Sequence, residues 1–258
     1  MKELILITGA SSGIGREMAR LLARQNYDLI LVARRQDRLI ELRNELEEKH
    51  LIRAHIIVAD LSHADSAREL YDRIKDMKLN VTMLVNNAGF GEYGDFATTP
   101  LHREMDMVQV NISSLVTLTK LFGADMRAAG HGHILNMASI LSFFPFPYYA
   151  VYAATKAFVL SFTESIQTEW AGSGVHVTAF CPGPTDTEFT TDNMLQTNAY
   201  KSMKPVKATD VAQEAVHHLL HGKGIKVHGF MNKVLVNTPR FSPRWLTLKI
   251  NKHMATRA

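Results

Sequence analysis

The chain has 258 residues, 46% hydrophobic and 21% charged, a composition that excludes a disordered polymer and suits one folded domain over residues 1–258. Its formal net charge of +4 is mild, with basic residues scattered except near the C-terminus, which excludes the basic stripe of a nucleic-acid binder. The single cysteine, Cys181, excludes an internal disulfide and fits a reducing, cytoplasmic location. Four apolar residues, Leu4–Ile7, are too few for a signal-peptide core, and no run of about 18 apolar residues predicts a membrane span.

In chain order, the patterning predicts a strand over Glu3–Thr8, a helix over Gly13–Gln25, a strand over Asp28–Ala33 and a charged helix over Gln36–Lys49. A strand over Ala54–Ala59, a helix over Ala64–Met77 and a strand over Val81–Val85 follow. A long helical region covers Leu101–Ala128, then a strand His133–Met137, a helix Ala150–Ala171, a strand Val175–Phe180 and a helix Thr209–His221. The strands are near-continuous apolar runs, as expected when helices cover both faces of a sheet. Strict alternation implies right-handed crossovers and a doubly wound parallel α/β sheet of about seven strands. Residues 183–207 look irregular and polar, which predicts a substrate lid, and residues 231–258 form a basic, amphipathic C-terminal extension.

The first strand runs into Thr8-Gly9-Ala10-Ser11-Ser12-Gly13-Ile14-Gly15 and then a helix. Glycine there permits a sharp bend, close approach of a pyrophosphate and tight helix–strand packing. The helix N-terminus offers free N–H groups to phosphates. The second strand ends Ala33-Arg34-Arg35, where NAD-binding folds place a carboxylate for the ribose 2′-hydroxyl. A guanidinium at Arg34, with Arg35 beside it, can fork onto a 2′-phosphate, so the sequence predicts NADP(H) over NAD(H).

Tyr152 and Lys156 stand four residues apart on one helix face. A free phenol, with a pKa near 10, is a poor base at neutral pH. A positive charge about 5 Å away contributes roughly 3 kcal/mol at an effective dielectric near 20, about two pKa units, against about half a unit in bulk water. The pair is chemically useful only in a sheltered cleft. Ser139, thirteen residues before Tyr152, follows a strand end, and its hydroxyl is placed to hold a substrate oxygen. Asn87-Ala88-Gly89 and Pro182-Gly183 also follow strand ends, at the sheet edge where α/β proteins bind ligands.

Together these residues resemble the short-chain dehydrogenase/reductase family, over residues 3 to about 230. The resemblance implies a Rossmann-type single domain in which Asn111, Ser139, Tyr152 and Lys156 form the catalytic tetrad. It implies cofactor contacts from Gly9, Ser11, Ser12, Gly13, Ile14 and Gly15, from Asp60 and Leu61 at the adenine, and from Asn87, Ala88 and Gly89. Pro182, Gly183, Thr185 and Thr187 would meet the nicotinamide. The implied reaction is hydride transfer between NADP(H) and a carbonyl or secondary alcohol. In that scheme Ser139 positions the oxygen, Tyr152 is the general acid or base, Lys156 lowers the phenol pKa and bonds the ribose, and Asn111 holds a water. The family commonly forms homodimers or homotetramers through helices corresponding to Leu101–Ala128 and Ala150–Ala171.

The aromatic run Phe143–Tyr149, between Ser139 and Tyr152, and Phe90-Gly91 either line a pocket or pack in a core or interface. An apolar pocket would favour a lipophilic ketone or a 3-oxoacyl substrate. The run Asn86–Gly91 and the C-terminal Asn232–Arg244 pattern resemble the ketoacyl-reductase-like branch. His217 and His221 have a metal-pair spacing without a third ligand, so no metal site is predicted. The stretch Arg240–Arg257 either lies on an anionic membrane or packs against its own fold or a second subunit. Packing is favoured because its apolar residues would otherwise be exposed. The competing function is a nucleotide-binding redox sensor or regulator on the same fold, for which Tyr152 and Lys156 would have no use.

Overall fold

The computed structural model describes residues 2–256, so the predicted role of Arg257 lies outside the described residues. β1 (Leu4–Thr8) leads into α1 (Gly13–Arg24), then β2 (Asp28–Ala33), α2 (Gln36–Lys49), β3 (Ala54–Val58), α3 (Ser66–Asp76) and β4 (Met83–Asn86). α4 (Leu101–Val108) continues through a π-helical turn, Gln109–Ser114, into α5 (Leu115–Ala129), followed by β5 (Gly132–Met137), α6 (Ala150–Glu169) and β6 (Val175–Cys181). The seven-stranded sheet is completed by a strand after residue 220, and its order from one edge is β3, β2, β1, β4, β5, β6 and that last strand, with every pairing parallel.

Side chains alternate across a strand, so β1 feeds two cores. Ile5 and Ile7 pack with Leu29 and Leu31 against Met18 and Leu22 of α1. Leu4 and Leu6 pack with Ile30 and Val32 against Leu70 of α3 and Phe122 of α5. Because both faces are covered, the strands carry no polar stripe and read as continuous apolar runs. A buried amide network runs between the strands and the helices: Asn86 Nδ2 donates to Asn136 Oδ1 (2.9 Å) and Thr119 Oγ1 (3.0 Å), and Asn136 Nδ2 donates to Thr163 Oγ1 (3.0 Å). This network ties β4 and β5 to α5 and α6 and fixes their register.

The long helical region expected over Leu101–Ala128 is present, with a π-turn at Gln109–Ser114 interrupting its α-helical geometry where Asn111 Nδ2 donates to Phe90 O. The strand expected over Val81–Val85 begins at Met83 and reaches Asn86. The segment 183–207 is not irregular: it holds β7 (Thr185–Asp186), paired in parallel with β8 (Val206–Lys207), and two short helices, α7 (Asp192–Leu195) and α8 (Asn198–Ser202). Thr191 and Thr197 cap those helices by accepting from Met194 N and Tyr200 N. After α9 (Ala208–His221), the seventh strand is β9 (Ile225–Val227). The C-terminal extension is two helices, α10 (Phe230–Asn237) and α11 (Arg244–Ala255), broken around Pro239 and Pro243.

Candidate active site

The sheet order reverses between β1 and β4, and the loops after these strands part to open a cleft at their carboxyl ends. One cavity of about 680 Å³, within the size range of small-molecule sites, runs from the β1–α1 loop to the C-terminal helices.

At one end lies the glycine loop. Gly9 and Gly13 take φ +68° and +55°, left-handed values that favour glycine. A Cβ at Gly15 would sit 2.5 Å from the Gly9 carbonyl oxygen, so helix and loop approach as only glycine allows. No acidic side chain occupies the first turn of α1, leaving its N–H groups to an anion. Ser11, Ser12, Gly13 and Ile14 line the cavity; Gly15 does not, and its part is the close packing. Asn87 also acts on the loop: its Nδ2 donates to Thr8 O (2.9 Å) and Gly9 O (3.2 Å). The Thr8 hydroxyl in turn accepts from Asn87 N and Ala88 N, both at 3.0 Å. These bonds staple β4 to the phosphate loop.

Arg34, Arg35, Asp60 and Leu61 line the same end of the cavity. Arg34 Nη1 lies 3.8 Å from Asp60 Oδ2. Burial pushes the Asp60 carboxyl up, but hydrogen bonds from Ser62 and the Arg34 charge pull it down further. Arg35 donates to Glu188 Oε2 at 2.6 Å and to Ser11 Oγ at 3.2 Å, and Arg38 pairs with the other Glu188 oxygen. Glu188 and Arg38 were not foreseen, because their partners lie 150 or more residues apart in sequence. A dinucleotide fits what these residues offer: glycine backbone at its phosphates, an uncapped helix start and a cationic pair where a 2′-phosphate would lie.

At the other end, α6 brings Tyr152 and Lys156 onto the cavity wall. Lys156 Nζ lies 5.9 Å from the centre of the Tyr152 ring and donates to Met137 O at 2.8 Å, at the end of β5. Ser139, the next residue but one, caps a 3-10 turn over Ile140–Phe143 by accepting from Leu141 N at 3.1 Å. Ser142 on that turn accepts from Ser139 N and donates to Lys156 O at 2.8 Å, locking the turn to α6. Burial pushes the Tyr152 phenol well above its ordinary range, opposed by a hydrogen bond with Ser139. Burial pulls the Lys156 ammonium down to about 8. Asn111 is buried behind them: its Nδ2 donates to Phe90 O (3.0 Å) and Thr155 Oγ1 (3.1 Å), and its Oδ1 accepts from Phe90 N (3.3 Å). A Cβ on Gly89 would meet Asn111 Oδ1 at 2.9 Å and Lys156 Nζ at 3.5 Å, which places all three in one cluster.

Pro182, Gly183, Thr185 and Thr187 line the cavity beside this cluster, and the Thr187 side chain abuts Gly13. The aromatic run divides. Phe144, Phe146 and Tyr149 line the cavity, whereas Phe143 packs in a core cluster with Leu160 and Val159. Met194 and Tyr200, in the segment expected to be a lid, line the apolar wall, which Leu235 of α10 and Ile250 and Met254 of α11, not singled out by the residue pattern, complete. Cys181 is buried, and burial pushes its thiol up to about 12, so it is no nucleophile at neutral pH. Among the described residues, no group of three or more His, Cys, Asp or Glu side chains converges on a metal position.

A family model described as short chain dehydrogenase matches residues 3–198. The chain is 35% identical over 225 residues to sulfoacetaldehyde reductase 2 of Chromohalobacter salexigens, covering 83% of this chain and 86% of that protein. It is 30% identical to the very-long-chain 3-oxoacyl-CoA reductase of Homo sapiens, covering 99% of this chain and 81% of that protein. Among solved structures, it is similar to a short-chain dehydrogenase from Sphingobium yanoikuyae in complex with NADPH, with TM-score 0.80 and 26% identity over 93% of this chain and 94% of that one. A bulky-bulky ketone specific alcohol dehydrogenase from Comamonas testosteroni gives TM-score 0.79 and 27% identity over 93% and 92%.

Replacing Asn87 by alanine removes two donors to the glycine loop. Asn87→Ala is expected to destabilise the protein by about 1–3 kcal/mol in urea unfolding. Amide exchange should accelerate in residues 9–15.

Proposed function

The chain belongs to the short-chain dehydrogenase family, and within it we propose an NADP(H)-dependent oxidoreductase that interconverts a lipophilic ketone or 3-oxoacyl compound and its secondary alcohol. The observation that carries this reading is the Lys156 ammonium 5.9 Å from the Tyr152 ring centre, on the wall of a cavity that continues to the glycine loop. The apolar lining from Phe144, Tyr149, Met194 and Leu235 supports a lipophilic substrate, as does the similarity to proteins named for 3-oxoacyl-CoA and bulky ketones.

When bound, the reduced dinucleotide supplies a hydride, and the protein supplies orientation and protons. The glycine loop and α1 would hold its phosphates, and Arg34 and Arg35 would select the 2′-phosphate. Asp60, Leu61, Ala88 and Gly89 would border the adenosine half, and Pro182 through Thr187 the nicotinamide half. Ser139 donates a hydrogen bond to the substrate oxygen. Tyr152 donates the proton that converts the carbonyl oxygen to a hydroxyl, and takes it back in oxidation. Lys156, held by Met137 O, keeps a positive charge beside the phenol and favours its ionised form. Asn111 fixes the Phe90 backbone and Thr155 and so positions Lys156. The segment 183–207 acts as the substrate lid.

Exposed Leu101 and Met105 on α4 and Phe158 on α6 support self-association through these helices, as a homodimer or homotetramer. Among the described residues no helix is long and apolar enough to cross a membrane. The single buried cysteine supports a cytoplasmic location.

NADPH consumption with a panel of lipophilic ketones and 3-oxoacyl thioesters tests the activity. Tyr152→Phe is expected to lower turnover about a hundred- to ten-thousandfold with cofactor affinity retained; undiminished turnover would refute the assigned role. Lys156 is charged below about pH 8 and neutral above it, so carbonyl reduction should fall as pH rises through that value. Lys156→Arg, which stays charged, should remove that fall from the pH–rate profile. Glu188 competes with a 2′-phosphate for Arg35 and Arg38. An ion pair this exposed is worth less than about 1 kcal/mol, so Glu188→Gln should tighten NADPH by about two- to fivefold and leave NADH unchanged in calorimetric titrations.

A further inference from the structure

The C-terminal helices close one end of the cavity with their inner sides and present an uncovered surface with their outer sides. On α11, Asn251, Met254 and Ala255 face inward: Asn251 Nδ2 donates to Pro145 O (2.9 Å), and Tyr93 Oη donates to Ala255 O (2.8 Å). Asn198 Nδ2 adds a third anchor to His253 O (2.9 Å). Trp245, Leu248, Lys249 and Lys252, at spacings of three and four residues, share the opposite side. Trp245 is 67% exposed, and Phe241 in the preceding link is 88% exposed. On α10, Phe230 is 80% and Met231 73% exposed, while Leu235 turns to the cavity. The packing that would have covered these residues is therefore satisfied by one side of each helix only.

Charge decides what fits the other side. After Glu214 the sequence contains no aspartate or glutamate. Lys233, Arg240, Arg244, Lys249 and Lys252 stand among the exposed apolar residues, and none has an ion-pair partner among the described residues. A second copy is a poor occupant, because an isologous contact sets a patch against itself and would bring these cations together. Large apolar rings interleaved with lysines and arginines match an anionic bilayer. There tryptophan and phenylalanine enter the headgroup region, and each basic residue near the surface adds attraction to the anionic lipid.

We propose that the Phe230–Lys252 surface docks the protein reversibly on anionic lipid membranes, with Phe241 and Trp245 as the inserted anchors and Arg244, Lys249 and Lys252 as the headgroup contacts. Docking would set the α10–α11 wall of the cavity against the bilayer, so that an apolar substrate could enter past Ile250, which is both half-exposed and cavity-lining. That consequence rests on the redox reading; the docking does not.

The test is co-flotation of the full chain with vesicles of phosphatidylcholine alone, or with roughly a third phosphatidylserine, at low and high salt. The wild type should float with the anionic vesicles, be released by salt, and stay behind with neutral ones. Phe241→Ser with Trp245→Ser, and separately Lys249→Glu with Lys252→Glu, should each cut the bound fraction at least about tenfold. Circular dichroism and turnover of a water-soluble ketone should be unchanged. If turnover is absent but flotation follows this pattern, the docking stands and the redox reading fails. A wild type that does not float, that floats equally on neutral vesicles, or whose flotation survives both double substitutions overturns the proposal. So does a vesicle-free oligomer that Phe241→Ser with Trp245→Ser splits into monomers, because the surface would then be covered by a second copy.

Discussion

An ammonium taken out of water costs several kcal/mol unless dipoles face it, and the site is built around Lys156 meeting that requirement. The Met137 carbonyl at the end of β5 accepts from it, and Ser142 grips the backbone of its helix. Those same two tethers set Ser139 and Tyr152, because Ser139 is two residues past Met137 and Tyr152 is one turn before Lys156. Burial acts on both partners at once, raising the phenol pKa and drawing the ammonium down to about 8. The shelter that makes the ammonium's charge felt at the phenol also works against that charge.

The other half of the cleft depends on backbone approach. Gly9, Gly13 and Gly15 leave no Cβ where the loop folds over the start of α1, and Asn87 holds that loop from β4, across the switch in strand order. The two halves meet because β4 and β5 are neighbours, in register through Asn86 and Asn136, whose side chains also bond each other. Strand register thus sets the distance between the phosphate loop and the tyrosine.

Features that live within a few residues of one another were legible in the sequence. The glycine spacing, the Tyr152–Lys156 turn and the long amphipathic helices each carry their own local pattern, and β2 and α2 fall on the predicted bounds. Features made by distant contacts were not. β9 is three residues long between Gly224 and Gly229, too short for any periodicity. α7 and α8 are four and five residues long, held by threonine caps inside a polar stretch. The π-turn carries Asn111, whose amide donates to the Phe90 backbone 21 residues away. Glu188 meets Arg35 across 153 residues, and the apolar wall draws on elements from Phe144 to Met254. The bland polar look of 183–207 hid Met194 and Tyr200, which face inward once the segment folds.

The account turns on whether Tyr152 can ionise where it sits. An ultraviolet difference titration of the protein with NADP+ added, compared with Tyr152→Phe and Lys156→Met, measures this directly. Burial raises the Tyr152 phenol, and the account predicts that the Lys156 charge and the added oxidised nicotinamide together bring it clearly below the ordinary value of about 10, as one phenol missing from Tyr152→Phe and moved upward in Lys156→Met. Superimposable curves for the wild type and Tyr152→Phe below about pH 10 would contradict it.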